Sequence, residues 1–261
     1  MLQIDFINVG YGDSILVRDT EASFSMLVDC GDVHVGQSRP DGLRISAADY
    51  LRREGVEALD LLVLTHLHLD HAGGLARLLP GIRVQELWTN YLPPEEAWGK
   101  QLSVPAGWSA GARCLMQSLN IYLEALDRLR TQGTQIRLIQ KTQDSRQLTP
   151  QLNVGIYLEE ARLQQRQAEI WSAALNGTAA GEDLDELDGF INNTSIRLRL
   201  SCEGADVELP GDVYAACWEK HSLSPCTVMK MPHHGHRDAL TPRLLEMLRP
   251  RYAVISVSDS R

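Results

Sequence analysis

The stretch Thr65-His66-Leu67-His68-Leu69-Asp70-His71 decides what this 261-residue chain is expected to be. It follows an apolar run that is typical of a buried strand and precedes a pair of glycines. Imidazole nitrogens and carboxylate oxygens are ligands for zinc and neighbouring transition metals. Side chains two apart in a strand point the same way, so His66 and His68 can face one metal. Asp70 and His71, where the strand breaks, can turn toward a second.

The composition is that of a globular protein, with 44% hydrophobic and 23% charged residues. A net charge of -9 argues against a protein that coats nucleic acid through a basic surface. It does not exclude an enzyme that cuts phosphodiesters while metal ions supply the positive charge. The five cysteines form no Cys-x-x-Cys pair, the N-terminus does not resemble a signal peptide, and no apolar run is as long as a membrane span. We therefore expect a cytoplasmic protein without a membrane segment.

Periodicity and turn residues predict a chain rich in both strands and helices, with no linker that divides it, and so a single domain over residues 1–261. The predicted strands cover residues 2–9, 14–18, 24–28, 59–64, 84–88, 135–139, 152–158, 195–201, 226–231 and 252–257. The predicted helices cover residues 45–53, 75–79, 112–132, 213–219 and 241–248. An exposed helix over 159–175 and a mobile acidic loop over 177–189 form a predicted helical and acidic insertion at about 159–190.

Other polar residues at predicted strand ends carry possible chemistry. An aspartate in Gly211-Asp212 could bridge two metals, although aspartate at such a turn is more often a helix N-cap. In His233-His234-Gly235-His236, one histidine could bind metal while its neighbour faces substrate; the alternative is a polar turn. Amides and hydroxyls in residues 192–195 could orient substrate or water, or simply form a turn before a strand. A polar loop containing His34 is long enough to overhang such a site.

With these motifs in order, the sequence resembles the metallo-β-lactamase-fold hydrolases. In particular, it resembles the metallo-β-lactamase domain of bacterial competence (DNA-uptake) channel proteins and their soluble relatives. The resemblance runs from residue 4 to about residue 257 and implies an α/β (α+β) fold, a four-layer αβ/βα sandwich with metals at one edge of the sheets. The motifs that carry it are Phe6-Ile7-Asn8-Val9-Gly10-Tyr11-Gly12-Asp13-Ser14, Leu27-Val28-Asp29-Cys30-Gly31, His66-x-His68-x-Asp70-His71, Asn192-Asn193-Thr194-Ser195, Pro210-Gly211-Asp212 and Lys230-Met231-Pro232-His233-His234-Gly235.

The resemblance also implies two divalent metal ions, Zn²⁺ or Mn²⁺. The implied ligands are His66 and His68 for the first metal, Asp70, His71 and His234 for the second, and Asp212 as a bridge. The family's third histidine on the first metal is missing, because no histidine lies between His71 and His221. Water, Asn192 or substrate would then fill that position, which favours manganese because manganese accepts oxygen ligands readily.

A two-metal centre implies a hydrolase that attacks with a metal-bound hydroxide. We expect phosphodiester cleavage, with DNA or RNA among the substrates; the alternatives are a small phosphocholine-type or lactone-type esterase and a metal-bearing regulatory module. A partner protein or a homodimer is left open. The expected catalytic residues are Asp70, His233 and His236, and the expected substrate contacts are Asn192, Ser195, Lys230 and His34.

Overall fold

The computed structural model describes residues 1–36 and 43–257, and their strands form two sheets of six strands each. In chain order the first sheet contains β1 (Leu2–Phe6), β2 (Ile15–Asp19), β3 (Phe24–Val28), β4 (Ala58–Val63), β5 (Arg83–Thr89) and β6 (Gln135–Leu138). The second contains β7 (Gln143–Thr149), β8 (Leu152–Tyr157), β9 (Arg197–Cys202), β10 (Ala205–Leu209), β11 (Val228–Lys230) and β12 (Tyr252–Val254).

Each sheet has an antiparallel part and a parallel part. Strands β1, β2 and β3 form an antiparallel meander, and β3 to β6 run parallel. In the second sheet β7 to β10 are antiparallel, whereas β10, β11 and β12 are parallel. The carboxyl ends of parallel strands meet at one edge of a sheet, which is where ligands bind in folds of this kind.

Helices cover the outer faces of both sheets. They are α1 (Ala47–Arg53), α2 (Leu69–Ala72), α3 (Leu75–Leu78), α4 (Ala110–Gln132), α5 (Ala161–Leu175), α6 (Gly181–Phe190), α7 (Ala215–Trp218) and α8 (Pro242–Leu248). The long helix α4 begins at Ser109, whose hydroxyl accepts from the Ala112 N–H, and ends at Gly133 in the left-handed conformation. Short 3-10 turns occupy Glu95–Ala97, Ile191–Thr194 and Pro232–Gly235.

Three apolar clusters separate the layers. One lies between the sheets and joins residues such as Val63 of β4 to Leu198 of β9. A second packs the first sheet against α1 to α6, and a third packs the second sheet against α7 and α8. This arrangement confirms the predicted four-layer αβ/βα sandwich.

The acidic stretch 177–189 is not the predicted mobile loop, because residues 181–190 form helix α6. The Ala180 N–H donates to Asp183 Oδ2 at 2.8 Å, and acidic side chains in the first turn favour the positive end of a helix. Leu184 and Leu187 are fully buried. The predicted helix over 159–175 is present as α5, but it is not exposed on all sides, since Trp171 is buried in the same core.

Part of the polar loop that was expected to overhang the site, residues 37–42, lies outside the described residues. Its expected position over the site therefore stays a prediction. Among the described residues, no helix combines the length and the apolar character needed to cross a membrane.

Candidate metal centre

A buried cluster of two aspartates and two histidines lies where the strand ends of the two sheets converge. His71 Nε2 is 3.2 Å from Asp212 Oδ2 and 3.7 Å from Asp70 Oδ2. His234 Nε2 is 3.1 Å from Asp70 Oδ2 and 3.5 Å from Asp212 Oδ2. One ligand atom from each of the four residues lies within 4.8 Å of all the others. The structure thus brings together the four residues proposed for the second metal, although they are up to 164 positions apart in sequence.

Charges within this cluster fix its protonation in the metal-free protein. Burial opposes protonation of His71, but the carboxylates of Asp212, Asp29 and Asp70 outweigh burial and raise the pKa of His71 well above its usual value. Burial also opposes protonation of His234, but hydrogen bonds to Asp212 and Asp70 outweigh burial and raise the pKa of His234 to about 9. Burial alone would raise the pKa of Asp70 and of Asp212, but charged His71 and hydrogen-bonded His234 lower both. The two carboxylates therefore favour positive charge on or beside these two imidazoles.

The first pair of histidines lies beside this cluster. His66 Nε2 is 3.2 Å from His68 Nδ1, so the two rings direct one nitrogen each toward a common point. The other nitrogen of His66, Nδ1, is 3.1 Å from Thr65 Oγ1 and 3.2 Å from Ser195 Oγ. Burial lowers the pKa of His66 well below its usual value, so this imidazole is neutral and can offer a lone pair. No third His, Cys, Asp or Glu of the described part of the chain joins these two nitrogens in a ligand cluster.

Asp29 is a positioning residue that sequence reasoning did not assign to the site. Its Oδ1 accepts from the Thr65 N–H at 2.8 Å, while Oδ2 accepts from the Thr65 hydroxyl at 2.7 Å and lies 2.7 Å from His71 Nδ1. The side chain is 1% exposed and its backbone is left-handed, with φ of 58°. Burial raises the pKa of Asp29. By holding Nδ1, Asp29 leaves Nε2 of His71 directed at the cluster, which is the usual role of an outer carboxylate beside a metal-binding histidine.

The other histidines of the 233–236 turn lie at the rim. His233 Nδ1 and His236 Nδ1 are both 2.9 Å from the same Asp238 oxygen. His233 is 23% exposed and stacks on Tyr214, whereas His236 is 64% exposed. His233 and His234 both have positive φ, at 45° and 53°. The left-handed turn lets these two neighbours face different groups, Asp238 and the buried cluster.

The predicted substrate contacts are placed unevenly. Asn192 is 3% exposed, and its Nδ2 donates to the Tyr214 hydroxyl at 3.2 Å and lies 3.4 Å from His233 Nε2. Ser195 is fully buried behind His66, so it supports a ligand rather than meeting substrate. Lys230 is 1% exposed and pairs with Asp13, with Nζ also 3.8 Å from Asp212 Oδ1. This burial does not suit the predicted phosphate contact. His34 is exposed, and its N–H donates to Asp32.

Glycine is required where the backbone crowds the centre. Gly12 has φ of 103°, and a Cβ at this position would lie 1.9 Å from the carbonyl oxygen of Asp70. Gly211, with φ of 57°, would place a Cβ 2.9 Å from that of Ser195. Gly12 lets the loop after β1 approach Asp70, and Gly211, whose Cβ would also lie 3.2 Å from that of Thr65, lets the end of β10 approach the segment after β4.

The sequence of residues 7–96 matches the family model of the metallo-beta-lactamase superfamily. These residues, about a third of the chain, are similar in sequence to that superfamily. The match includes the whole of the His-x-His-x-Asp-His stretch. It supports a metal-dependent hydrolase or a related metalloenzyme.

Two relatives extend this likeness over the length of the chain. ComE operon protein 3 of Bacillus subtilis (strain 168) is 22% identical over 277 residues, which cover 99% of this chain and 28% of that protein. The chain therefore spans less than a third of this relative. A proposed metal-dependent hydrolase from Parabacteroides distasonis ATCC 8503, known from its crystal structure, is 12% identical with a TM-score of 0.50. The likeness covers 100% of this chain and 84% of that one and shows a shared fold.

The residues of this centre fit divalent metals. Two carboxylates and two imidazoles form the buried cluster, and the His66–His68 pair adjoins it. Nitrogen and oxygen donors in this proportion suit zinc and manganese alike. Asp70, His71, Asp212 and His234 would hold one ion, and His66 and His68 would contribute to the other.

Metal binding is expected to release protons from His234. A protonated imidazole has no lone pair for a metal, so a proton and a cation compete for this side chain. With a pKa of about 9 in the metal-free protein, His234 is protonated at neutral pH. Apparent metal affinity should therefore rise with pH, and the contribution of His234 to this rise should end once pH passes about 9. Titrations with Zn²⁺ and Mn²⁺ at several pH values, with proton release followed by a dye, measure the effect.

His234→Gln is the matched variant, since it removes this proton while it retains a polar side chain. We expect fewer protons released per metal and a weaker pH dependence. Equal affinity of the unaltered protein at pH 6.5 and 8.5 would contradict the assignment.

Proposed function

We propose that this chain is a metal-dependent phosphodiesterase that acts on nucleic acid. The observation that carries the proposal is the buried cluster of Asp70, His71, Asp212 and His234 with the His66–His68 pair beside it. The resemblance to the domain of DNA-uptake channel proteins supports nucleic acid as the substrate. The net charge of -9 agrees with an enzyme in which bound metals, and not a basic surface, attract the phosphate.

Two bound metal ions would lower the pKa of a water molecule and polarise the phosphoryl oxygen. The protein's own residues do the rest. Asp29 and Ser195 fix the orientation of His71 and His66. The covered position of the cluster, where Asp212 is 1% exposed, keeps bulk water from screening its charges.

His233 is the side chain placed best to protonate the leaving oxygen. Asp238 holds its Nδ1 at 2.9 Å, and its Nε2 lies 3.4 Å from Asn192 Nδ2. Tyr214 stacks on the ring with 5.5 Å between centroids and limits its rotation. His236 shares Asp238 but is largely in solvent. We therefore assign the general acid to His233 and give His236 no part in proton transfer.

A second candidate is hydrolysis of a small phosphocholine-type ester. It is favoured by Tyr11, which is 52% exposed and lies 5.3 Å from the His234 ring. An exposed aromatic face among carboxylates suits a quaternary ammonium group. The same face also suits stacking of a nucleobase, so substrate assays must separate the two.

The test is cleavage of DNA, RNA, bis(p-nitrophenyl) phosphate and a phosphocholine ester by the protein loaded with Zn²⁺ or Mn²⁺. We expect cleavage of nucleic acid and of the chromogenic diester. His233→Ala should lower the rate on nucleic acid by about 100- to 10,000-fold, because an alkoxide leaving group needs a proton. It should lower the rate on the chromogenic diester far less, because p-nitrophenolate leaves without one.

His236→Ala is the matched control and should change both rates by less than about threefold, since the side chain is exposed. Protein that binds its metals and cleaves the phosphocholine ester alone would establish the second candidate. Metal-loaded protein that cleaves none of the four substrates would refute the proposal.

A further inference from the structure

A carboxylate lies next to His68 on the side of the ring that faces away from His66. His68 uses Nδ1 to face His66, and its other nitrogen, Nε2, lies 3.3 Å from Asp188 Oδ1. Nε2 is buried and makes no aligned hydrogen bond with any described residue. A buried ring N–H needs a hydrogen-bond acceptor, and the Asp188 carboxylate is within reach of Nε2.

The Asp188 side chain is 44% exposed, but the packing around it determines its position. Asp188 lies on helix α6, which is anchored by fully buried Leu184 and Leu187. Its carboxylate rests on the first turn of helix α4, where a Cβ at Gly111 would lie 2.6 Å from Asp188 Oδ2. The start of a 23-residue helix favours a negative side chain. The absence of a side chain at Gly111 thus makes room for the carboxylate beside His68.

We propose that Asp188 is the positioning residue of the first metal site. Its carboxylate accepts a hydrogen bond from the Nε2–H of His68, fixes the ring tautomer and leaves the Nδ1 lone pair for the metal. The outer carboxylate strengthens a site that lacks the third histidine expected from the family resemblance. The inference rests on the metal centre of the proposed function and is independent of which ester is cleaved.

Asp188→Asn and Gly111→Ala test this by different routes. Asp188→Asn removes the negative charge. The methyl group added by Gly111→Ala displaces the carboxylate while Asp188 keeps its charge, and alanine suits a helix. We expect each variant to bind one metal normally and the other about 10- to 100-fold more weakly, by calorimetry. The absorption spectrum of bound Co²⁺ should change in the same variants. In nitrogen NMR spectra of the zinc form, the Nε2–H signal of His68 should shift in both.

Asp185→Asn is the matched control, because Asp185 is on the same helix and bonds the Ser109 hydroxyl instead of a histidine. It should leave both metals and the Co²⁺ spectrum unchanged, and Asp188→Glu should restore part of the lost affinity. Wild-type affinity for both metals in Asp188→Asn and in Gly111→Ala would overturn the proposal. Because metal binding is measured directly, this result is distinct from failure to cleave phosphodiesters.

Discussion

Replacing Asp212 by alanine is expected to abolish turnover while leaving the fold intact. Asp212 Oδ2 lies 3.2 Å from His71 Nε2 and 3.5 Å from His234 Nε2, so its loss removes the carboxylate that joins the two histidines. Bound metal ions stabilise the transition state by several kcal/mol, and each 1.36 kcal/mol corresponds to a tenfold change in rate. We therefore expect a fall on the order of a thousandfold or more in kcat. Metal content after stripping and reloading, together with the rate on the chromogenic diester, measures it.

Asp212 also accepts the His233 N–H at 3.2 Å through Oδ1, so alanine disturbs the 233–236 turn to some extent. Asp212→Asn keeps an oxygen for this bond and should still lose activity, which separates ligand loss from turn distortion. Asp206→Asn is a control on the preceding strand, since Asp206 pairs with Arg199 outside the cluster. Full activity in reloaded Asp212→Ala and in Asp70→Ala would rule out the dinuclear centre.

Part of the buried cluster was predictable from sequence, because its residues follow strands. Asp70 and His71 lie in α2, the first helix after β4, and Asp212 and His234 follow β10 and β11. Since β10 and β11 are parallel neighbours, Asp212 and His234 are expected at the same edge of the second sheet. The sequence alone does not decide whether Asp212 bridges two metals or caps a helix, because the answer depends on distances that only the fold supplies.

Side chains with a structural role were harder to predict. A lysine at a strand end usually reaches solvent, but Lys230 is buried because Asp13, distant in sequence, lies beside it. Ser195 was read as a substrate contact, yet the hydroxyl faces His66. Asp188 stood in a run of acidic residues that suggested a solvated loop. Only the two leucines of α6, at helical spacing, could have indicated a packed helix there.

Asp29→Asn is expected to weaken binding of the second metal by changing the tautomer of His71. Asparagine matches aspartate in size and tolerates the left-handed backbone at this position, so the change is chiefly one of charge and donor pattern. If the amide oxygen keeps the Thr65 N–H, the amide nitrogen faces the Thr65 hydroxyl and His71 Nδ1. Nδ1 must then accept, and the proton moves to Nε2, the atom that would bind the metal.

Two measurements distinguish this tautomer effect from simple loss of stability. We expect affinity for one metal to fall by about 10- to 100-fold, and the metal-free protein to lose about 1–3 kcal/mol in urea unfolding. Asp19→Asn is the matched control, because Asp19 is equally buried and accepts from the Thr149 hydroxyl away from the metal cluster. It should lower stability similarly and leave metal affinity unchanged. Parallel loss of metal in both variants would show that affinity follows stability, and Asp29 would then have no orienting role.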